Sequence, residues 1–310
     1  MLVLRHGSLV YEKYFTGTDE RYGAPLGIVS YDAGKLHDLR SISKSVVSLL
    51  TGIAVDKGWL SIDQSAFAFF PEHGDLRTPE KDRITIRHLL MMAAGFAWDE
   101  NLPYTNPANS EIRMMFAKDR LRYVLEQPVV VEPGKVYNYS GGATALLGGI
   151  LQKVSGRRID MLAKEELFAP LGIRDFEWMP YQPDGEPATA SGLRLRPRDL
   201  ARIGQMVLDK GRWRGKQIVS ESWIAASITP QINGQSPFFY GYQWWLGRSL
   251  LDQQQIDWAA GLGLGGQRVY VVPALDAVIV VTTGLYNSGL QGVIGPIVLN
   301  QHVLPAVVKR

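Results

Sequence analysis

Leu39-Arg40-Ser41-Ile42-Ser43-Lys44-Ser45-Val46-Val47-Ser48-Leu49-Leu50 opens a helix and carries a Ser-x-x-Lys spacing at its first turn. The apolar positions Val46, Val47, Leu49, Leu50, Ile53 and Ala54 follow a helical period, and Asp56-Lys57-Gly58 supplies the Lys-Gly end that helices favour. Residues three apart share one helical face, so the Lys44 amine is expected to reach the Ser41 hydroxyl. A serine hydroxyl is a poor nucleophile until its proton is accepted, which a lysine does if burial lowers its pKa toward neutrality. The plainer reading makes Ser41 a helix cap and Lys44 a solvated side chain, since chance supplies Ser-x-x-Lys about once in a chain of this size. Lysine is disfavoured at a helix N-terminus, however, so its place there calls for a reason.

Upstream, Leu2-Val3-Leu4, His6-Gly7-Ser8 and Leu9-Val10-Tyr11 read as a hairpin, followed by a Gly-rich stretch from Thr16 to Leu36. Downstream, residues 61–179 are mainly helical in pattern, with Ile86 to Met92 and Ala143 to Leu151 as clear examples. A helix is expected from Pro197 to Lys210. Strands are expected over Phe238 to Trp245, Gln255 to Ala259, Arg268 to Val272 and Ala277 to Thr283, and then an apolar helix from Gly289 to Val308 broken at Pro296 and Pro305. Strands at both ends with helices between them predict an α+β fold, an antiparallel sheet flanked by helices. The sheet subdomain is expected to comprise residues 1–60 and 180–310, with the helical subdomain 61–179 inserted and the active site in the cleft between them.

Composition narrows the functional classes. The 310 residues are 46% apolar and 20% charged, enough for a sizeable core, and the net charge of +3 offers no concentrated field for nucleic acid. Without cysteine there is neither a disulfide framework nor a thiolate nucleophile. The five histidines (His6, His37, His73, His88, His302) show no metal-ligand spacing, so no metal and no cofactor are expected. No apolar run has membrane length, and no signal peptide is visible. That favours a cytoplasmic location, although a start inside a strand also suits a truncated chain.

Two further segments bear on chemistry. In Glu132-Pro133-Gly134-Lys135-Val136-Tyr137-Asn138-Tyr139-Ser140-Gly141-Gly142, a turn-rich loop leads into a helix, and the Tyr139 phenol near a lysine would shuttle a proton to a leaving group; packing or capping by Tyr137 or Tyr139 is the alternative. Gly261-Leu262-Gly263-Leu264-Gly265-Gly266-Gln267 satisfies G-x-G-x-x-G, but a strand-like Arg268 to Val272 follows where a dinucleotide site requires a helix. Glycines entering a strand instead let a substrate lie close to backbone N–H donors, unless they form only a hairpin turn.

Taken in order, Leu39 to Ser45, Ile84 to Gly95, Pro133-Gly134 with Tyr139-Ser140-Gly141, and Gly265-Gly266-Gln267 ahead of Val271-Val272-Pro273 resemble the class C β-lactamase-related family. That family includes β-lactamases, D-alanyl-D-alanine peptidases, esterases and 6-aminohexanoate-dimer hydrolases. The resemblance spans nearly the whole chain and implies the β-lactamase/transpeptidase-like fold. It also implies Ser41 as acylated nucleophile, Lys44 as its base, Tyr139 as proton relay, and the backbone N–H groups of Ser41 and Gln267 as the oxyanion hole. Two departures stand out. Gly141 replaces the Asn that ends the tyrosine motif of the β-lactamases and contacts an acylamino group, and Leu264 replaces the Lys or His that starts their third motif. A cation there would hold a substrate carboxylate, so Leu264 argues against penicillin-like substrates.

Trp98 and Tyr104, in the loop Phe96 to Tyr104, are expected beside the pocket mouth, with Gly141, Leu264, Gly265 and Gly266 as further substrate-binding positions; the alternative is a loop packed on the helical subdomain with its acids in water. Trp244 and Trp245 read as core residues of which one face meets the cleft. The run from Arg194 to Arg214 reads as a solvated helix surface. The expectation is a hydrolase of a small-molecule ester or amide, with a β-lactamase or peptidase as alternative and a catalytically silent sensor of peptide or cell-wall fragments as the alternative of another class.

Overall fold

A computed structural model describes residues 1–181 and 185–308. Its centre is an eight-stranded antiparallel sheet built from both ends of the chain. Strands β1 (Leu2–Arg5) and β2 (Ser8–Glu12) form the expected hairpin, and Thr16–Arg21 (β3) pairs with Ala24–Ser30 (β4) in a separate one. Short strands β5 (His37–Asp38), β6 (Glu177–Trp178) and β7 (Leu193–Leu195) make a small sheet at the start of the helix that follows Ser41, and β8 (Arg212–Trp213) pairs with β9 (Lys216–Gln217). The remaining strands are β10 (Ile232–Asn233), β11 (Phe239–Tyr240), β12 (Trp245–Leu251), β13 (Gln254–Gly263), β14 (Gln267–Val272) and β15 (Ala277–Val281). The order β10-β11-β12-β13-β14-β15-β1-β2 joins the termini through β1 and β15, with Leu2 opposite Val280 and Leu4 opposite Val278.

Both faces of this sheet are covered, which is why β14 and β15 read as unbroken apolar runs and not as alternating ones. Val269, Val271, Val278 and Val280 point into a core shared with helix α1 (Ile42–Asp56) and the helices Gly141–Ser155 and Pro197–Leu208. Tyr270, Val272, Ile279 and Val281 point the other way, against Leu299, Val303, Leu304 and Val307 of the broken C-terminal helix. Helix α1 is buried at every position from Ile42 to Ala54 and ends where expected, with Gly58 at φ +69° just beyond. The Ile86–Leu90, Ser110–Phe116, Arg120–Glu126 and Gly141–Ser155 helices pack on its far side. No helix among the described residues is long and apolar enough to cross a membrane.

The expected strand Phe238 to Trp245 is in fact two strands joined by a turn. Gln243 takes φ +62°, and its amide donates to the Leu89 and Leu90 carbonyls and accepts from Thr144, while its own carbonyl accepts from Ser45. One buried amide thus ties three helices together, and the chain must leave the sheet to deliver it. Strand β12 then continues to Leu251 and returns into β13 through Asp252 and Gln253, both at positive φ. Two non-glycine residues in the left-handed region give no turn signal in sequence, so periodicity alone does not reveal the full length of this hairpin. Trp244 is fully buried and Trp245 half-exposed, its ring 5.8 Å from that of Tyr139.

Candidate active site

The approach to Ser41 is strained. Arg40 adopts φ +50°, a conformation costly for a side chain with a Cβ. It is held there by ion pairs to Asp38 (3.2 Å) and Glu20 (3.3 Å) and by stacking over the Tyr286 ring at 4.8 Å. Ser41 precedes α1 but makes no side-chain capping bond, so its hydroxyl is spared for another partner. That partner is Lys44, whose Nζ lies 3.2 Å from Ser41 Oγ.

Lys44 is only 1% exposed, so the reading of a solvated first-turn lysine does not hold. Its ammonium also donates to the Ala190 carbonyl at 3.0 Å and lies 4.8 Å from the centre of the Tyr139 ring. The expected effect of burial on this amine meets an opposing one from its neighbours. Burial works to lower its pKa, the Tyr139 oxygen and the nearby acids Glu111 and Glu100 work to raise it, and the net direction is upward. Burial pushes the Tyr139 phenol above its ordinary value despite the nearby ammonium. Both directions favour an ammonium beside a neutral phenol at rest.

The loop carrying Tyr139 is pinned from two sides. Asn138 donates its N–H to the Met92 carbonyl (2.7 Å) and its side-chain amide to the Trp98 carbonyl (2.9 Å). Ser140 caps the Gly141–Ser155 helix by accepting from Ala143, and Gly134, at φ +88°, abuts His88. The Tyr137 ring packs instead on Tyr240 and Trp245.

On the opposite wall, Gly263 ends β13 and Gln267 starts β14, so the glycine segment is a turn between strands. Gly265 and Gly266 have φ +84° and +90°, and a Cβ on either would lie 2.4 Å from Tyr286 or Thr283. Only glycine fits. The Gln267 side chain is bonded through both its donor and its acceptor to the Thr283 backbone. This fixes the start of β14, while Leu264 of the preceding turn lines one cleft with Ser41, whose N–H is one that a helix start leaves without an intrahelical partner.

A cleft of about 200 Å³ lies over these groups, lined by Ser41, Arg40, Tyr22, Tyr104 and Leu264 with Glu111, Ser191 and the apolar Ile112, Met115 and Met179. Of the sequence-derived positions, Ser41, Tyr104 and Leu264 line it. Trp98 does not. It is buried with its ring tip against Gly142, and its indole N–H donates to Glu100 at 2.7 Å. Sequence reasoning also missed an acid pair. Glu100 receives the Gly141 N–H (2.5 Å) and the Tyr104 hydroxyl (2.9 Å), and Glu111, 3% exposed, brings its carboxyl against the same Gly141. Glu111 carries no local signal in sequence, because it sits in the first turn of a short helix, where an acid is ordinary.

Comparison with known proteins places the chain. The family model described as Beta-lactamase matches residues 1–291. The 6-aminohexanoate-dimer hydrolase of Paenarthrobacter ureafaciens is 26% identical over 90% of this chain and 70% of its own length, and an esterase of Burkholderia gladioli is 25% identical over 59% and 47%. The chain thus spans less than half of that esterase. Among solved structures, a hydrolase with promiscuous acyltransferase activity aligns with TM-score 0.75 at 17% identity, covering 95% of this chain and 89% of that one. The octameric penicillin-binding protein homologue from Pyrococcus abyssi aligns with TM-score 0.67 at 20% identity, over 96% and 72%. The fold is the β-lactamase/transpeptidase-like one.

Proposed function

Because the chain belongs to the Beta-lactamase family, and is a hydrolase of that family, we propose that it hydrolyses esters or small amides through an acyl-enzyme at Ser41. The observation that carries this reading is Lys44, a buried ammonium 3.2 Å from a serine hydroxyl that caps nothing. A buried charge is expensive unless it is paired, and a merely structural lysine would have no reason to face that oxygen.

In the acylation step, Ser41 Oγ attacks the acyl carbonyl. Its proton passes to the Tyr139 oxygen while the phenol's own proton moves to the departing alcohol or amine, so Tyr139 ends the step neutral. The Lys44 ammonium stabilises negative charge developing on both oxygens, and the N–H groups of Ser41 and Gln267 receive the oxyanion. Water then repeats the sequence on the acyl-enzyme. In this scheme Lys44 acts as a fixed charge, not as the free-amine base expected from the spacing.

The substrate reading rests on the cleft walls. Leu264, Ile112, Met115 and Met179 suit an uncharged acyl group. Of the cations nearby, Arg40 is committed to Asp38 and Glu20. Labelling by a fluorophosphonate and turnover of p-nitrophenyl esters, with Ser41→Ala as control, test the reading. Wild-type protein that shows neither beyond the Ser41→Ala background would be a binding member of the family and not an enzyme.

A further inference from the structure

The acid pair beside Gly141 has an unusual balance of partners. Glu100 is bonded like an ionised carboxylate: the Trp98 indole and the Gly141 N–H converge on one oxygen and the Tyr104 hydroxyl on the other. Gly141 is the first residue of a 15-residue helix, so the carboxylate also faces the positive end of that helix. Glu111 has no such support. Its carboxyl lies against Gly141 on the side that Glu100 also approaches, and a second full charge at 3% exposure there is not sustainable without a proton. The proton belongs to the pair, leaving one negative charge for two carboxyl groups.

The backbone at 141 is fitted to this arrangement. A Cβ there would stand 2.7 Å from both the Glu111 carboxyl carbon and one of its oxygens. Glycine at 141 is therefore the condition under which Glu111 can enter, and a carboxyl from another helix occupies the space a side chain would take.

Resting on the acyl-enzyme reading above, we propose that Glu100 and Glu111 form a one-proton acid pair that serves as the counter-ion of Lys44, and that Glu111 is a positioning residue for acyl transfer. With one charge on the pair, Lys44 and the two acids sum to zero, so the net charge developed in the transition state is that of the oxyanion alone. With the proton removed, the sum is −1 and the site repels the oxyanion. The groups facing Glu111 are Glu100 and Tyr104 from the preceding loop, Lys44 from α1, Tyr139 from the loop before the Gly141–Ser155 helix, and Tyr181, over which Arg120 stacks; Arg113 on its own helix is exposed. Lys44 is the cation among them that acts on Glu111, and it does not offset burial, so the Glu111 carboxyl stays well above the usual carboxylate range.

The test is the pH profile of kcat/KM for a p-nitrophenyl ester in wild type, Glu111→Gln and Glu111→Ala. Glutamine keeps a neutral donor for Glu100, so Glu111→Gln is expected within a few-fold of wild type near neutrality, with the wild-type alkaline decline abolished or displaced upward. Glu111→Ala, which leaves Glu100 without its neutral partner, is expected to lose on the order of tenfold. An unchanged alkaline decline in active Glu111→Gln overturns the proposal. Glutamate-specific carbon-13 NMR of the wild-type protein supplies a second reading independent of any variant: one glutamate carboxyl is expected to remain protonated near neutral pH, and its absence likewise overturns the proposal. A wild type with no Ser41-dependent turnover refutes the enzyme reading instead, and the NMR result then still decides whether the pair holds a proton.

Discussion

Lys44 Nζ donates to Ser41 Oγ at 3.2 Å from inside the protein, held on its other side by the Ala190 carbonyl 146 residues away. Replacing it by methionine keeps the volume and removes the charge that stabilises both reacting oxygens. Lys44→Met is expected to reduce kcat by on the order of 10³-fold, as the loss of other preorganised electrostatic groups does. Burst-phase acylation with a p-nitrophenyl ester measures it. A variant within tenfold of wild type would mean that the ammonium is structural.

Tyr139→Phe removes the oxygen through which the serine proton travels but leaves the ring against Trp245. The expected loss in kcat is on the order of 10²- to 10⁴-fold, with KM changed little, because the phenol acts on the transferring proton and not on substrate binding. A larger effect on poor leaving groups than on p-nitrophenolate would locate the proton transfer at the leaving group.

Leu264 sits where the cleft would need a cation to hold a substrate carboxylate. Nitrocefin turnover by the wild type is expected to be far slower than ester turnover, and Leu264→Lys to raise it selectively, at most by roughly the 10- to 100-fold of a charge-assisted pair. Comparable nitrocefin and ester rates in the wild type would refute the argument from the missing cation.

His37 is buried beside Asp19, with Tyr31 stacked on it at 3.8 Å. Burial is the main cause of a pKa lowered to about 4, only partly opposed by Asp19. The unfolded chain, with the ordinary value of 6.5, therefore binds a proton that the native state refuses. Stability is full above that ordinary value and falls as the pH drops toward 4, by roughly 3 kcal/mol at most. Urea unfolding across this range is expected to show the loss in wild type and a flatter profile in His37→Gln. Equal slopes would place the acid sensitivity in other groups.

The sequence by itself determined where the helix after Ser41 starts and ends, that Ser41 and Lys44 share its face, that both chain ends supply strands, and that glycines precede β14. These are local matters: helical period, i to i+3 spacing and turn chemistry act between neighbours in the chain, so they are legible there. Tertiary structure alone decided the charge state of Lys44 and the identity of its counter-ions. Those depend on through-space fields in a poorly screened interior, where Ala190, Tyr139, Glu100 and Glu111 arrive from separate segments. The same reason explains why Gly141 could be seen as a departure in sequence while Glu111, the group that takes its space, could not. Likewise, the break between β11 and β12 is set by the long-range hydrogen bonds of Gln243, to which periodicity is blind.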